Sequence, residues 1–306
     1  KGTLDVLPYA SDSLDALFLT DVTDDGLAGL ATGEIMRVLA PCVGRAVIGR
    51  ATGAAGTLTR ESFEAWALQW GGPGSHVVEN ADGLWAVIAR APLAGAEDWT
   101  HPFHGPDNNP VSGDGAFSFP SAVAWLGKPY HLLWRNIGGR IIANGRLYLA
   151  FGPNNDYTYR AYNVYNGSLL WERALDTNTW AQRHLNACVD GGRVYLMQQA
   201  HALVLDAASG AEVDRITFTN VTGQGKWMTV ASNLLVMLIG PMDIVDSGWL
   251  GSRNAMFPKR DSMDLGYGTL LVAHDLAARA EKWRVDEGAR IDSRTVGVSA
   301  GRIIYH

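Results

Sequence analysis

One phrase recurs along the second half of the chain, and it limits the fold more than any other feature. Small polar residues, usually Gly-Arg, lead into alternating apolar ones. The phrase reads "IIANGRLYLAF" from Ile141, "ACVDGGRVYLMQ" from Ala187, "TVASNLLVMLIG" from Thr229 and "VGVSAGRIIYH" from Val296; in the third copy Asn233-Leu234 replaces Gly-Arg. A second phrase follows the first three copies: "YRAYNVYNGSLLWERAL", "ALVLDAASGAEVDRITF" and "LLVAHDLAARAEKWRVD". Asn163, Asp206 and Asp275 correspond, as do Gly167, Gly210 and Arg279, and then Trp171, Asp214 and Trp283. Alternation with period two is the pattern of strands, and Asn-Gly or Ser-Gly between apolar runs supplies the positive φ of a tight turn. The first two copies lie 43 residues apart, counted from Gly167 to Gly210, and the next interval is 69 because "DIVDSGWLGSRNAMFPKRDSMDLGYG" is inserted. A period of about 40 with about four strands per copy predicts propeller blades. Three blades and the start of a fourth are expected over residues 129–306.

Composition agrees and excludes several functions. The 306 residues suffice for two cores, and 35 glycines with 11 tryptophans suit a turn-rich β protein. A net charge of −6 gives no electrostatic footprint for nucleic acid. No apolar run reaches the roughly 18 residues of a membrane span. Cys42 and Cys188 are too far apart for a disulfide framework, a zinc site or a haem attachment, and read as partly buried thiols. Lys1 opens the sequence and "GRIIYH" closes it within a strand pattern, so the expectation is a piece of a longer polypeptide.

The first ninety residues carry a different pattern. Leu14–Asp21 predicts a buried parallel strand. "GEIMRVLAP" predicts a helix stopped by Pro41, "GRAVIGR" a strand, and "ESFEAWALQWG" an amphipathic helix. "HVVENADGLWAVIAR" predicts a hairpin around Asn80–Gly83. Strand, helix, strand, helix, hairpin is an α/β order.

Leu7, Pro8, Tyr9, Asp12, Ser13, Asp15, Glu34, Arg37, Val38, Leu39 and Pro41 carry a resemblance to the second half of class I S-adenosylmethionine-dependent methyltransferases. It implies a partial Rossmann-like α/β domain over residues 1–93, with S-adenosylmethionine (SAM) as the cofactor of any activity. The departures are as informative. The family's Gly-rich turn is not in this sequence, Thr3 stands where the adenine-holding Asp is expected, and Pro41-Cys42-Val43 replaces Pro-Gly-Gly. A degenerate, structural version of the domain is the expectation.

The "x-D-x-x-x-G-x-x-x-W" phrase resembles the repeat of pyrroloquinoline-quinone (PQQ)-type propellers, in which the Trp packs between blades. It implies PQQ with Ca²⁺ for any redox chemistry, but Trp171 and Trp283 fall on the packing position. Between the two parts, the linker expected over residues 94–128 contains "EDWTHPFHGPDNNPVSGD". Asp98, Trp99, Thr100, His101, His104, Asp107, Asn109, Val111 and Asp114 there resemble a group of large planctomycete-type bacterial proteins that join a methyltransferase-like domain to such a propeller. That resemblance implies architecture, and an extracytoplasmic setting.

Two stretches supply candidate site residues. His101, His104, Asp98 and Asp107 are the candidate metal ligands, since His-x-x-His with flanking carboxylates suits a transition metal. The competing reading is a seam that caps its own backbone, because Pro102, Pro106 and Pro110 forbid a regular helix. The insertion offers Asp243, Asp246, Trp249, Arg253 and Lys259 for a partner or a glycan. Thr177–His184 and the Asn154–Asp156 turn are further polar loops. The functional expectation is a scaffold or partner-binding protein within a larger chain or assembly. The alternatives are a SAM-dependent methyltransferase that recruits substrate with the propeller, and a PQQ- or metal-dependent dehydrogenase.

Overall fold

In the computed structural model, β1 (Ala16–Leu19) and β2 (Arg45–Ala51) run parallel, with Ala16 opposite Arg45. Residues 6–116, 125, 137–151, 158–175, 187–199, 201–241 and 267–306 are described. The helices α1 (Asp24–Leu27) and α2 (Thr32–Val38) connect β1 to β2, and α3 (Arg60–Trp70) leads into the hairpin of β3 (His76–Asn80) and β4 (Gly83–Ala89). The last strand inserts antiparallel between β2 and β3, giving the order β1-β2-β4-β3. Ile35, Leu39, Ile48, Phe63 and Ile88 form the core beneath this sheet. Glu34 and Arg37 form an ion pair one turn apart on α2, and both reach the preceding loop. The Leu7 amide donates to Glu34 Oε1 at 2.7 Å, and Arg37 Nη2 donates to the carbonyls of Leu7 and Tyr9. One expectation is corrected: β1 is parallel but not buried. Among the described residues it pairs along one edge only, and Phe18 is 72% exposed.

Three four-stranded antiparallel meanders follow. They comprise β5 (Ile137–Ala143), β6 (Arg146–Phe151), β7 (Thr158–Asn163) and β8 (Leu169–Ala174); then β9 (Ala187–Asp190), β10 (Arg193–Gln198), β11 (His201–Asp206) and β12 (Glu212–Thr217); then β13 (Gln224–Ala231), β14 (Leu234–Gly240), β15 (Tyr267–Asp275) and β16 (Ala280–Asp292). A hairpin of β17 (Gly297–Ser299) and β18 (Arg302–Ile304) ends the series. This is a propeller-like β fold, and the strands fall where the recurring phrases predict them. Tyr267 and Gly268, the last residues of the insertion, belong to β15. The rest of it, with Trp249, Arg253 and Lys259, lies outside the described residues, as do Thr177–His184 and Asn154–Asp156.

Each meander buries both faces, which explains the near-continuous apolar runs. Strand alternation sends Ala187, Val189, Val194 and Leu196 toward the first meander, and Cys188, Tyr195 and Met197 toward the third. Trp227, Leu238, Leu271 and Ile291 of the third meander meet Val296 and Val298 of the start of the fourth.

The corresponding turn residues act alike. The Asn163 and Asp206 carbonyls accept from the amides of Gly167 and Gly210 four residues on, and the Asp206 and Asp275 side chains accept from following turn amides. Gly210, at φ +72, also makes room for its neighbour: a Cβ there would sit 2.6 Å from the Trp171 ring, whose Nε1 donates to Ala207 O at 3.1 Å. Trp125 treats Gly167 and Val164 O in the same way, one repeat earlier. At the seam between the second and third meanders both partners change together. Asp214 replaces the Trp, Arg279 replaces the Gly at φ +53, and Arg279 Nη2 lies 2.9 Å from Asp214 Oδ1.

An exposed ion pair is a weaker fastener than a buried indole. In equilibrium unfolding, Trp171→Ala is expected to cost about 3–5 kcal/mol. The Asp214→Ala/Arg279→Ala cycle is expected to give a coupling of about 0.2–1 kcal/mol that declines with salt. A larger coupling than the Trp171 loss would reverse the ranking.

Candidate functional site

The stretch richest in chemistry, residues 97–108, is a strap laid across the innermost strands. Trp99 forms a two-way backbone bridge with Ile142 at the end of β5, N to O at 2.7 Å and O to N at 3.0 Å. Thr100 O accepts from Val189 N of β9 at 2.9 Å. His101 reaches Thr229 of β13, and Pro106 O accepts from Val298 N of β17 at 2.8 Å. Successive strap residues thus meet four successive inner strands. Among the described residues each inner strand is ladder-paired on one side only, and the strap supplies partners to backbone groups on the open sides of β5, β9 and β17.

His101 is the pivot. It is 5% exposed, with Nδ1 2.8 Å from Thr100 Oγ1 and Nε2 2.9 Å from the buried Thr229 Oγ1. One neutral tautomer satisfies the whole chain of contacts. Nδ1–H donates to Thr100, whose hydroxyl donates on to His104 O, while the Thr229 hydroxyl donates to Nε2. Burial pushes the imidazole pKa down to about 4, against the pull of the Asp107 carboxylate and with a smaller push from His104. His101 and His104 also exchange backbone hydrogen bonds at 3.2 Å in both directions, a tight closed turn around Pro102, and His104 sits at φ +71.

The other three candidate ligands face different tasks. His104 Nε2 lies 3.0 Å from Glu97 Oε1, and its ring stands edge-on to Trp99 at 5.2 Å. Hydrogen bonds from Ser112 and the Gly113 amide lower the Glu97 pKa, with His104 adding to them. Both Asp98 oxygens accept from the Asn144 amide, at 3.1 and 3.0 Å, capping the turn between β5 and β6. Asp107 accepts from the Asn109 amide at 3.3 Å. Among the described residues no group of three or more His, Cys, Asp or Glu is arranged to hold a metal ion.

A second joint ties the mixed sheet to the first meander. Asp15 takes hydrogen bonds from Asn163 Nδ2 at 2.6 Å, Asn166 Nδ2 at 3.0 Å and Ser168 Oγ at 2.9 Å, all from the turn between β7 and β8. Beside it, Gly145 abuts Pro41 and Cys42, where a Cβ would lie 2.7 Å from Pro41 O. Sequence reasoning noted Asp15 only within a family pattern, and overlooked Thr229 and Trp125. The spacing held one signal for Trp125, which precedes Trp171 by 46 residues, close to the repeat period.

A buried neutral histidine carries a pH signature. The unfolded chain takes up a proton near pH 6.5, whereas the folded chain resists until about pH 4. The stability that neutral His101 contributes is therefore complete above about pH 6.5 and falls as pH drops toward about 4, by on the order of 3 kcal/mol. Urea titrations across that window should show a shallower acid loss in His101→Gln than in the parent. Parallel curves would contradict this assignment.

No family model and no curated protein matches the sequence. Among solved structures, the chain is similar to a europium-containing methanol dehydrogenase, at 14% identity and TM-score 0.33 over 56% of this chain and 26% of that one. It is similar to the quinohemoprotein alcohol dehydrogenase of Comamonas testosteroni at 16% identity and TM-score 0.40, over 63% and 28%. It is similar to BamB from Moraxella catarrhalis at 13% identity and TM-score 0.35, over 54% and 44%. The chain spans less than half the length of each, and these structures are quinoprotein-type propeller proteins.

Proposed function

We propose that this chain is a non-catalytic scaffold that presents propeller faces to a protein partner, or to further parts of a larger polypeptide, in an extracytoplasmic setting. The observation that carries the reading is the strap, which fastens the linker to β5, β9 and β17 through backbone hydrogen bonds and to β13 through the side chains of His101 and Thr229. A chain whose linker is fastened to the meanders by main-chain bonds, and whose mixed sheet is tied to the first meander by the Asp15 joint, is suited to hold partners at fixed geometry. Among the described residues no helix is long and apolar enough to cross a membrane. Native purification of the full polypeptide is expected to bring down a stable partner or a larger assembly, and a clean monomer with intact termini would contradict the proposal.

Two observations favour a second reading, a SAM-dependent methyltransferase. The antiparallel strand of the β1-β2-β4-β3 sheet and the Glu34–Arg37 hold on the Leu7–Tyr9 loop agree with the pattern that suggested it. This reading requires saturable SAM binding by calorimetry on the full-length protein, and no heat at millimolar ligand would end it. The hydrogen bonds of His101, His104, Asp98 and Asp107 support the seam over the metal centre for the strap. Elemental analysis is expected to give equal metal content in the parent and in the His101→Ala/His104→Ala double variant, and a loss confined to the variant would restore the metal reading.

A further inference from the structure

The fastener of indole and turn is made twice along the chain and left half-made once. Trp125 rests on Gly167 and donates to Val164 O, and Trp171 rests on Gly210 and donates to Ala207 O. Each receiving turn joins the two outer strands of a meander, β7 to β8 and β11 to β12. Trp283 holds the corresponding place in the third meander, opposite Ala273 as Trp171 is opposite Ala161. It packs on the cluster that the third meander shares with Val298 and Ile303 of the β17–β18 hairpin. Among the described residues no turn glycine abuts its ring, and its Nε1 makes no hydrogen bond.

The strand edge beside it is open too. Val298 and Ile303 are register partners, and the Val298 amide points away from β18, to Pro106 O. In an antiparallel ladder both members of such a pair turn their backbone groups outward. Ile303 therefore presents its N–H and C=O on the far side of β18, where no strand pairs among the described residues. In the second meander Val194 holds this place, opposite Val189, whose amide also goes to the strap, and the outer side of Val194 pairs with Leu205 of β11. Both open features fit one object, a hairpin like β11–β12: its first strand extends β18 and its turn receives Trp283. One contact must differ. Arg173 pairs with Glu212, two residues past the turn glycine, whereas the exposed Val285 stands where Arg173 does. A carboxylate docked against Val285 would be left without its counter-charge, so the residue two past the glycine is apolar in a fitting hairpin.

We propose that Trp283, Val285 and the outer edge of β18 form a docking site for a β-hairpin of a partner protein. The hairpin is recognised by Asp or Asn at the start of its turn, Gly four residues on, and an apolar residue two further. Its strand adds to β18 by backbone pairing, and its glycine admits the indole, whose N–H gains a carbonyl acceptor in the turn. The assignment rests on the scaffold reading and specifies the chemistry of its partner.

The probe is a dye-labelled cyclic peptide of residues 201–217 carrying Glu212→Leu, closed at the His201–Thr217 register pair so that it holds the hairpin by itself. Its anisotropy is followed on titration with the 306-residue chain. Saturable one-to-one binding is expected. It should weaken at least about ten-fold with Trp283→Ala in the chain, and equally with Gly210→Val in the probe, which leaves the chain untouched. Leu68→Ala, on the exposed face of α3, should change nothing. No binding, or equal binding by the Gly210→Val probe, overturns the site. In the native source a photo-crosslinker at Ile304 identifies the occupant. A captured hairpin of another protein with the Asx-x-x-x-Gly turn supports the proposal, whereas a capture from the same polypeptide, or from any other kind of segment, overturns it. A co-purifying partner that is crosslinked only elsewhere removes this site and keeps the scaffold reading, which fails instead if no partner co-purifies.

Discussion

The open side of an inner strand is the constraint on which this structure turns. A four-stranded meander leaves one innermost strand with backbone groups facing the centre of the fold, and such groups must find partners or water. Here the chain supplies partners itself. Trp99, Thr100 and Pro106 bond to Ile142, Val189 and Val298, and His101 extends the series to Thr229 through its side chain. Hydrogen bonds to backbone need no particular side chain on the receiving strand. The strap can therefore cross strands whose sequences differ, with prolines bending it from one to the next. The histidines and acids that make the stretch look like a metal centre serve this path: Asp98 caps a turn, His104 pairs with Glu97, and His101 fills a buried slot between two threonines.

A second level of order lies between the meanders. Each buries two faces, so stability is passed from neighbour to neighbour through shared clusters, as expected for stacked repeats. The indole of one repeat rests on the turn glycine of the next and donates to a carbonyl one residue past the turn's Asn or Asp. The exchange of that pair for Asp214 and Arg279 follows from sterics. A side chain on the turn would collide with an indole, so the Trp is replaced by a short carboxylate that receives the arginine instead.

Much of this was legible from residues. Alternation and turn chemistry located the strands of the meanders, and the Asn163, Gly167, Trp171 register anticipated which residues would face the neighbouring repeat, because these features are local or strictly periodic. The strap and the joint were not legible. Val189 N meeting Thr100 O depends on backbone position, which leaves no mark on side-chain identity. Thr229 reads as one more strand residue until His101 lies against it. Asp15 carries no local sign that Asn163, Asn166 and Ser168, about 150 residues away, will supply its hydrogen bonds. The exposure of Phe18 was missed for a related reason: an apolar run announces a strand, but not which of its edges is covered.

Amide hydrogen exchange resolved residue by residue tests the strap most directly. The amides of Val189 and Val298 point away from the ladders and are held by Thr100 O and Pro106 O. If the strap is a built part of the fold, both exchange as slowly as the ladder amides of β10 and β14. Rapid exchange at Val189 and Val298, at the rate of exposed turn amides while those ladders stay protected, would show the inner edges to be open and would contradict the account.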